Sequence, residues 1–326
     1  MRRRAFLISL GAASTSLLAG TPSIRAQQSR IPVVGVLALG NPPPDTFLKA
    51  LRAGLQQVGY SEGRNLVLDI RIAEGSAELL ARQAAELVAA KVDVVVAYQT
   101  PAASAAKQAT REIPIPVVFG ATGDPVGTGL VESYARPGGN LTGTTAGAVE
   151  VAGKMVELIC ELLPSARRFA ALANDGDIFT KSYLTEIARV ARIVNLDLNP
   201  VMVQPGAPLN AAFESMAAAR AEAVIIQGSL VSQDAVELAN KHGLPSIGSS
   251  PVLPRMGGLM SYAADFNAML LETANFVDKI LRGAKPAELP VTFPAAFQMI
   301  LNLKTAKALD ITVSDVFLQR ANEVIE

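Results

Sequence analysis

Short runs of β-branched and aliphatic residues alternate along this chain with windows of helical periodicity. Four such runs in each half predict strands: Val33–Leu39, Leu66–Ile72, Val92–Ala97, Val117–Phe119, Arg168–Ala173, Asp197–Val203, Ala223–Gln227 and Ser246–Gly248. Similar spacing of the runs in both halves indicates that one architecture occurs twice. Strands that alternate with amphipathic helices are typical of an α/β fold.

Helices are predicted between the runs at Thr46–Val58, Ala77–Ala90, Thr180–Val194 and Ser232–His242. Asp45 and Ser76 stand where N-caps are expected, and Gly59 stands where the first helix should end. Because strand–helix–strand crossovers are right-handed, each half should form a parallel sheet covered on both faces. The fold class expected is therefore α/β, with two doubly wound parallel-sheet lobes joined by hinge crossovers.

The predicted boundaries place residues 27–143 in lobe 1 and residues 144–263 in lobe 2. Turn residues around a short extended piece link the halves at residues 136–143. The remaining segment is too short for a domain and contains a helix at Phe266–Arg282, a strand at Phe297–Leu301 and a helix at Leu303–Leu309. It is expected to return to lobe 1 over about 264–292, whereas the assignment of about 293–326 to lobe 2 stays open.

The N-terminus has the features of a cleavable export signal. Arg2, Arg3 and Arg4 precede an apolar stretch at Phe6–Ala19, and Ala26 offers a small residue before cleavage. The apolar stretch is shorter than the ~20 residues that span a bilayer, which disfavours a membrane anchor. Arg3-Arg4-Ala5-Phe6-Leu7 resembles a twin-arginine signal, so export by Sec or Tat stays open. The expected location is the periplasm.

Removal of residues 1–26 leaves 326 − 26 = 300 residues, enough for two domains of about 150 residues each. The counts of basic and acidic residues are equal at 29, so the electrostatic pattern of a nucleic-acid-binding protein is missing. The single cysteine, Cys160, cannot form an internal disulfide, and it lies far from the cleavage site. The mature protein is therefore expected to carry no lipid anchor.

Motifs for catalysis, cofactors or metals do not stand out. His242 is the only histidine and occupies a helix-end pattern before Gly243. Gly127-Thr128-Gly129 begins like a dinucleotide-binding loop, but Glu132 stands at the third glycine position. Asp175 and Asp177 can form an acid–base pair, although a solvated turn is the favoured interpretation of this stretch. We expect no catalytic residue, no cofactor and no metal.

Polar residues after the predicted strands are the candidate site, because open parallel sheets bind ligands beyond the carboxyl ends of their strands. The ligand-binding candidates are Asn41, Thr100, Ala121, Thr122, Asp124, Asn174, Gly228, Ser229, Ser249 and Asp265. Each residue taken alone is equally well explained as an ordinary turn or cap residue. The occurrence of the pattern in both halves favours a ligand cleft between them.

Roles can be assigned within that hypothesis. Thr100 and Thr122 can donate hydroxyl hydrogen bonds to a carboxylate or carbonyl of the ligand. Asn174 and Ser229 would close on it from lobe 2. Asp265 can accept an ammonium group, or it can cap the helix that begins at Phe266, and the sequence leaves both open.

Several stretches resemble an ABC-transporter substrate-binding family that includes tryptophan-binding, TrpX-like lipoproteins. The matching stretches are Gly59-Tyr60-Ser61-Glu62-Gly63-Arg64-Asn65, Asp124-Pro125-Val126-Gly127-Thr128-Gly129-Leu130-Val131, Arg136-Pro137-Gly138-Gly139-Asn140-Leu141-Thr142-Gly143, Leu281-Arg282-Gly283-Ala284-Lys285-Pro286 and Asn302-Leu303-Lys304-Thr305-Ala306-Lys307-Ala308-Leu309. The resemblance covers essentially the whole mature chain. It departs at Tyr262-Ala263-Ala264-Asp265, at Asp310 and at Asn174-Asp175-Gly176-Asp177, which leaves the ligand's identity open.

The resemblance implies a type I periplasmic binding protein fold and a monomer that binds without catalysing. The hinge would close on a small polar or carboxylate-bearing molecule, with amino acids and aromatic acids as candidate classes, and the closed form would dock on an ABC permease in the inner membrane. The alternative is an exported ligand sensor that docks on a receptor. An exported α/β enzyme and a transcription-regulator core are less consistent with these features.

Overall fold

A computed structural model describes residues 30–40, 44–204 and 206–326. The predicted signal segment and Asn41 lie outside these residues. Two separate sheets organise the described chain, and the α/β class predicted from the sequence is confirmed. Within the described residues, no helix combines the length and the apolar character needed to cross a membrane.

The first sheet has strand order β2-β1-β3-β4-β5, and all its pairings are parallel. Its strands are β1 Val33–Ala38, β2 Val67–Ile72, β3 Val94–Tyr98, β4 Val117–Thr122 and β5 Leu141–Thr145. Its connecting helices are α1 Pro44–Gln57, α2 Ala77–Ala89 and α3 Gln99–Ala109. Buried aliphatic residues on both faces of this sheet form two cores. Its strands are therefore continuous hydrophobic runs in the sequence.

The second sheet has strand order β12-β11-β10-β9-β8-β6-β7, in which β11 is Phe297–Asn302 and β12 is Glu323–Ile325. Its first ten elements follow one another along the chain. They are α4 Ala148–Leu162, β6 Arg168–Asn174, α5 Thr180–Ile193, β7 Asp197–Val203, α6 Asn210–Ala218, β8 Ala223–Ile226, α7 Gln233–Lys241, β9 Ser246–Gly248, α8 Val252–Arg255 and β10 Met260–Ala264. These strands pair in parallel. The eight predicted strands are therefore all present, with shifts of at most three residues at their ends.

The C-terminal segment contributes to both halves. It consists of α9 Phe266–Leu281, β11 Phe297–Asn302, α10 Leu303–Ala308, α11 Asp315–Leu318 and β12 Glu323–Ile325. Helix α9 packs against α1 and the first sheet, whereas β11 pairs antiparallel with β10 in the second sheet. The extended piece predicted between the halves is β5, an edge strand of the first sheet.

The segment that links the halves is shaped by close backbone contacts. Gly143 has φ +150°, and an added Cβ would lie 1.9 Å from the carbonyl oxygen of Phe119 on the neighbouring strand. The Asn140 side-chain amide donates to Thr110 Oγ1 at 2.9 Å and to the Ile115 carbonyl at 2.7 Å. This stretch therefore fixes the edge of the first sheet at the point where the chain leaves it.

Candidate functional site

A cavity lies where the carboxyl ends of strands from the two sheets face each other. It encloses about 620 Å³, including space open to solvent. The first sheet and its helices line it with Tyr98, Gln99, Thr100, Ala121 and Gly123. The second sheet and its loops line it with Asp177, Phe179, Gln227, Gly228, Ser229, Ser249, Ser250 and Pro251. Residues at or near the crossings complete it: Ala146, Ala148, Ala263, Ala264 and Met269.

Asp177 is the ionisable carboxylate of this cavity, and it is only 6% exposed. Its Oδ1 accepts from the Phe179 N–H at 3.0 Å, and its Oδ2 accepts from Gln227 Nε2 at 3.1 Å. Gln227 is itself oriented, because its Oε1 accepts from the Asn174 N–H at 2.9 Å. The network holds the carboxylate in one position at the end of β6.

Burial raises the pKa of Asp177 to about 6, although the Phe179 N–H and the Gln227 amide oppose the shift. Among the described residues that line the cavity there is no lysine, arginine or histidine. The charged form therefore depends on neutral hydrogen-bond donors alone. A cationic group brought by a ligand would stabilise it.

Two residues of the cavity wall have left-handed backbone. Gln99 has φ +67° and Ala121 has φ +59°, and such conformations cost about 1–3 kcal/mol for non-glycine residues. Gln99 Oε1 is also buried without a hydrogen-bond partner within the described part of the chain. Strain and an unpaired acceptor at the same wall indicate a site shaped for a ligand rather than for stability.

Thr100 places a hydroxyl at the start of α3. Its Oγ1 accepts from the Gly123 N–H at 3.0 Å, so its own proton is free to be donated. No side chain caps α3 at Tyr98, and the first backbone N–H groups of a helix have no partner within it. This end of the cavity is therefore suited to a negatively charged or carbonyl oxygen.

Aromatic rings define part of the cavity's shape. Tyr98 stacks on Phe47, with ring centroids 4.2 Å apart. From the other side, the Phe179 ring lies so close to Gly123 that an added Cβ would be 2.6 Å from it. Gly123 thus leaves room for a ring from the opposite wall, and the two halves are in contact at the cavity.

Three crossings of the chain connect the halves. The Thr292 N–H donates to the Gly143 carbonyl, and the Thr145 N–H donates to the Thr292 carbonyl, both at 3.0 Å. At the crossing between β10 and α9, the Asp265 N–H donates to the Ala296 carbonyl at 3.0 Å. Few, short connections of this kind are the usual geometry of a hinge.

Half of the residues predicted from the sequence line the cavity: Thr100, Ala121, Gly228, Ser229 and Ser249. They come from the ends of four strands on both sides, as the strand-end argument predicts. Contact of any of them with a ligand stays a prediction, because the cavity geometry alone does not show it.

The other described candidates have hydrogen bonds inside the fold. Thr122 lies within β4 rather than after it, and its hydroxyl donates to the Thr144 carbonyl at 3.4 Å. Asp124 accepts from the Gly127 N–H at 2.8 Å, and Asn174 donates to Ser229 Oγ at 3.2 Å. Asp265 caps α9 through the Ala268 N–H at 3.1 Å, which is the alternative that the sequence left open. These four residues are not part of the cavity lining, and Asn41 lies outside the described residues.

The prediction of a solvated turn at Asp175 and Asp177 is wrong for Asp177. Asp175 is exposed, whereas Asp177 turns inward and is buried. Gln227 was likewise not among the site candidates, because it was placed inside the predicted strand Ala223–Gln227. A carboxylate three residues beyond the end of β6 was the available signal, but sequence spacing does not tell which side of a turn faces inward.

The comparisons with known proteins agree with this geometry. The family described as ABC transporter substrate binding protein matches residues 34–325. A tyrosine-binding protein of Clostridioides difficile (strain R20291) is 27% identical over 273 residues, which cover 83% of this chain and 78% of that protein.

Solved structures extend the comparison to the fold. The ABC domain in complex with L-Trp from Streptococcus pneumoniae is 28% identical, with a TM-score of 0.82, and the match covers 91% of this chain and 100% of that one. A leucine-binding protein of Thermotoga maritima shares the fold at 14% identity and a TM-score of 0.54, over 79% of this chain and 78% of that one.

The fold is thus the type I periplasmic binding protein fold that the resemblance implied. The family and its relatives bind ligands and are not enzymes, which confirms the expectation that this chain is not an enzyme. The chain belongs to the ABC transporter substrate-binding protein family.

Proposed function

We propose that this protein is the periplasmic binding component of an ABC importer, and that it captures an amino acid in the cavity between its two sheets. The observation that carries the proposal is the cavity itself, whose walls present hydrogen-bonding groups from the strand ends of both halves. Such convergence of a few polar groups in a concave site is typical of small-molecule binding. A tyrosine-binding relative and an L-Trp complex support amino acids as the first class to test.

The two ends of the cavity differ in the charge that they favour. The start of α3, with the Thr100 hydroxyl, favours the carboxylate of an amino acid. Asp177 favours its ammonium group. Tyr98 and Phe179 leave apolar surface for a side chain between the halves.

Binding would shift the hinge towards a closed form, and the closed form would dock on a permease of the inner membrane. The protein would act as a monomer after export by its predicted signal. Capture without chemical change fits the absence of paired nucleophiles and bases around the cavity among the residues described.

Calorimetry and thermal shift with the mature protein test this proposal. Twenty L-amino acids, nucleosides and simple aromatic acids are compared, and the bound compound is examined by mass spectrometry after long incubation. We expect one amino acid bound per chain and recovered unchanged. Stoichiometric product above a buffer control, or no binding in the whole panel, would contradict the proposal.

Export is tested separately by intact mass. A mature form that begins near Gln27 and is released from the periplasm supports the location. A full-length product retained in the membrane would contradict it. Import itself is tested by loss of amino-acid uptake when the gene for this protein is deleted, with uptake restored by the intact gene.

A further inference from the structure

The buried carboxylate of the cavity determines which ligands can be held there. Asp177 is 6% exposed, and no described residue lining the cavity is cationic. Closure around a ligand removes water, and an ionised carboxylate without a charged partner is then costly. We propose that Asp177 is the specificity-determining residue, which selects ligands that carry a protonated amine over acids that lack one. This inference rests on the proposed function and deepens it, because it names the residue that discriminates between amino acids and acids without an amine.

The carboxylate has acceptor capacity to spare. Because the Asn174 N–H occupies Gln227 Oε1, the amide nitrogen of Gln227 points towards Asp177 Oδ2. The Phe179 N–H occupies Oδ1. An ionised carboxylate offers about four lone-pair positions, so roughly two remain for a donor from the ligand. An ammonium group supplies such donors together with the missing positive charge.

The other described residues that line the cavity around this carboxylate are uncharged at neutral pH. Gln227 faces it from the end of β8, and Ser250 lines the cavity from the segment after β9. Tyr98 and Gln99 line the same cavity from the first sheet. The neighbouring carboxylate, Asp175, is exposed to solvent. A cation must therefore come from the ligand.

A second acceptor in the cavity points to the same chemistry. Gln99 Oε1 is buried and has no partner within the described residues. Its amide nitrogen lies 3.8 Å from the position that a Cβ added to Gly228 would occupy, so this side chain reaches the opposite wall. Carboxylate-only ligands bring further acceptors to these oxygens, whereas an amine brings donors.

The experiment compares ligands that differ only in the amine. L-Tyrosine, L-tryptophan and L-leucine are titrated beside 3-(4-hydroxyphenyl)propionate, indole-3-propionate and 4-methylpentanoate at pH 7.5. For each amino acid that binds, we expect the wild-type protein to favour it over its acid partner by about 100-fold. Asp177→Asn should reduce that preference to about tenfold or less, mainly because the variant binds the amino acid less tightly.

Asp175→Asn is the matched control, because it removes the exposed carboxylate of the same loop. Its preference should equal that of the wild type. Circular dichroism and unliganded melting temperature establish that both variants fold.

The pH dependence of the wild-type protein is a second measurement that needs no folded variant. Burial raises the pKa of Asp177 to about 6, so the carboxylate is ionised above that pH and protonated below it. Affinity for the bound amino acid should be constant above about pH 7 and should fall by up to about tenfold per pH unit below pH 6. If Asp177→Asn folds, its affinity for the same amino acid should not change with pH over this range.

The outcomes separate the inference from the function on which it rests. Equal affinity of the wild-type protein for an amino acid and its acid partner would leave the binding function standing and overturn the inference. An unchanged preference in Asp177→Asn, or a wild-type affinity independent of pH, would do the same. Failure of every probe to bind would overturn both.

Discussion

At the scale of single residues, the cavity holds groups that folding alone does not favour. Within the described part of the chain, Asp177 is buried in a cavity without a lining cation, and Gln99 combines left-handed backbone with an unpaired acceptor. Natural proteins retain such groups mainly where they act on a ligand. Sequence reasoning identified Thr100 and Ser229 because they follow strands, but it missed Asp177, whose inward direction depends on the shape of the turn.

The buried carboxylate should make the unliganded protein less stable as pH rises. Its pKa is raised from 3.8 to about 6 in the folded state, so the folded chain holds a proton that the unfolded chain has already lost between these values. Relative to Asp177→Asn, wild-type stability should fall by about 1–3 kcal/mol between pH 4 and pH 7. Urea unfolding at both pH values measures this difference. Asp175→Asn should show the wild-type trend, and parallel curves for wild type and Asp177→Asn would refute the assignment.

At the scale of elements, the stretches that carried the family resemblance are turns and caps. Asn302 caps α10 through the Thr305 N–H, and Gly283 has φ +100° just beyond α9. None of these stretches contributes a described residue to the cavity lining. They predicted the fold well because they fix where elements begin and end, and for the same reason they indicated little about the ligand.

Asp265 belongs to this group of structural residues. It caps α9 and accepts from Gln298 Nε2 at 3.0 Å, which joins the helix to β11 across a crossing. Asp265→Ala should lower the free energy of unfolding by about 1 kcal/mol and leave the affinity for a bound amino acid unchanged. Asp265→Asn keeps an acceptor for the cap, so it should lower the free energy of unfolding by less than Asp265→Ala does. Lost affinity at unchanged stability would instead establish a ligand contact.

The edge of the first sheet depends on Gly143. A Cβ there would lie 1.9 Å from the Phe119 carbonyl oxygen, in a backbone conformation that other residues rarely adopt. Gly143→Ala should therefore destabilise the protein by about 2–4 kcal/mol in denaturant unfolding. Gly139→Ala is the control, since its Cβ would meet nothing within 4 Å. Equal stability of the two variants would contradict this account of the strand edge.

At the scale of the whole molecule, repetition of one strand–helix pattern predicted the two sheets, and the strand-end rule predicted that ligand groups face each other between them. The sequence predicted that residues from about 264 to 292 return to the first lobe, but it left open which sheet the elements from about residue 293 onwards join. Their placement depends on tertiary pairing, as with β11, which adds to the second sheet antiparallel to β10. The crossings that result are the hinge of the proposed capture mechanism.

Filling the cavity tests the central claim, that the protein holds one small molecule between its sheets. A side chain at Gly228 would project beside Ser249 and Gln99 without a severe clash at its Cβ, so Gly228→Leu should fold and occupy the site. Gly139→Leu adds the same bulk at an exposed, open position.

The decisive measurement is native mass spectrometry of these proteins with a mixture of the twenty L-amino acids. Wild type and Gly139→Leu should each show one amino-acid adduct per chain, and Gly228→Leu should show none. An adduct that persists in Gly228→Leu, or its absence from the wild-type protein, would contradict the account.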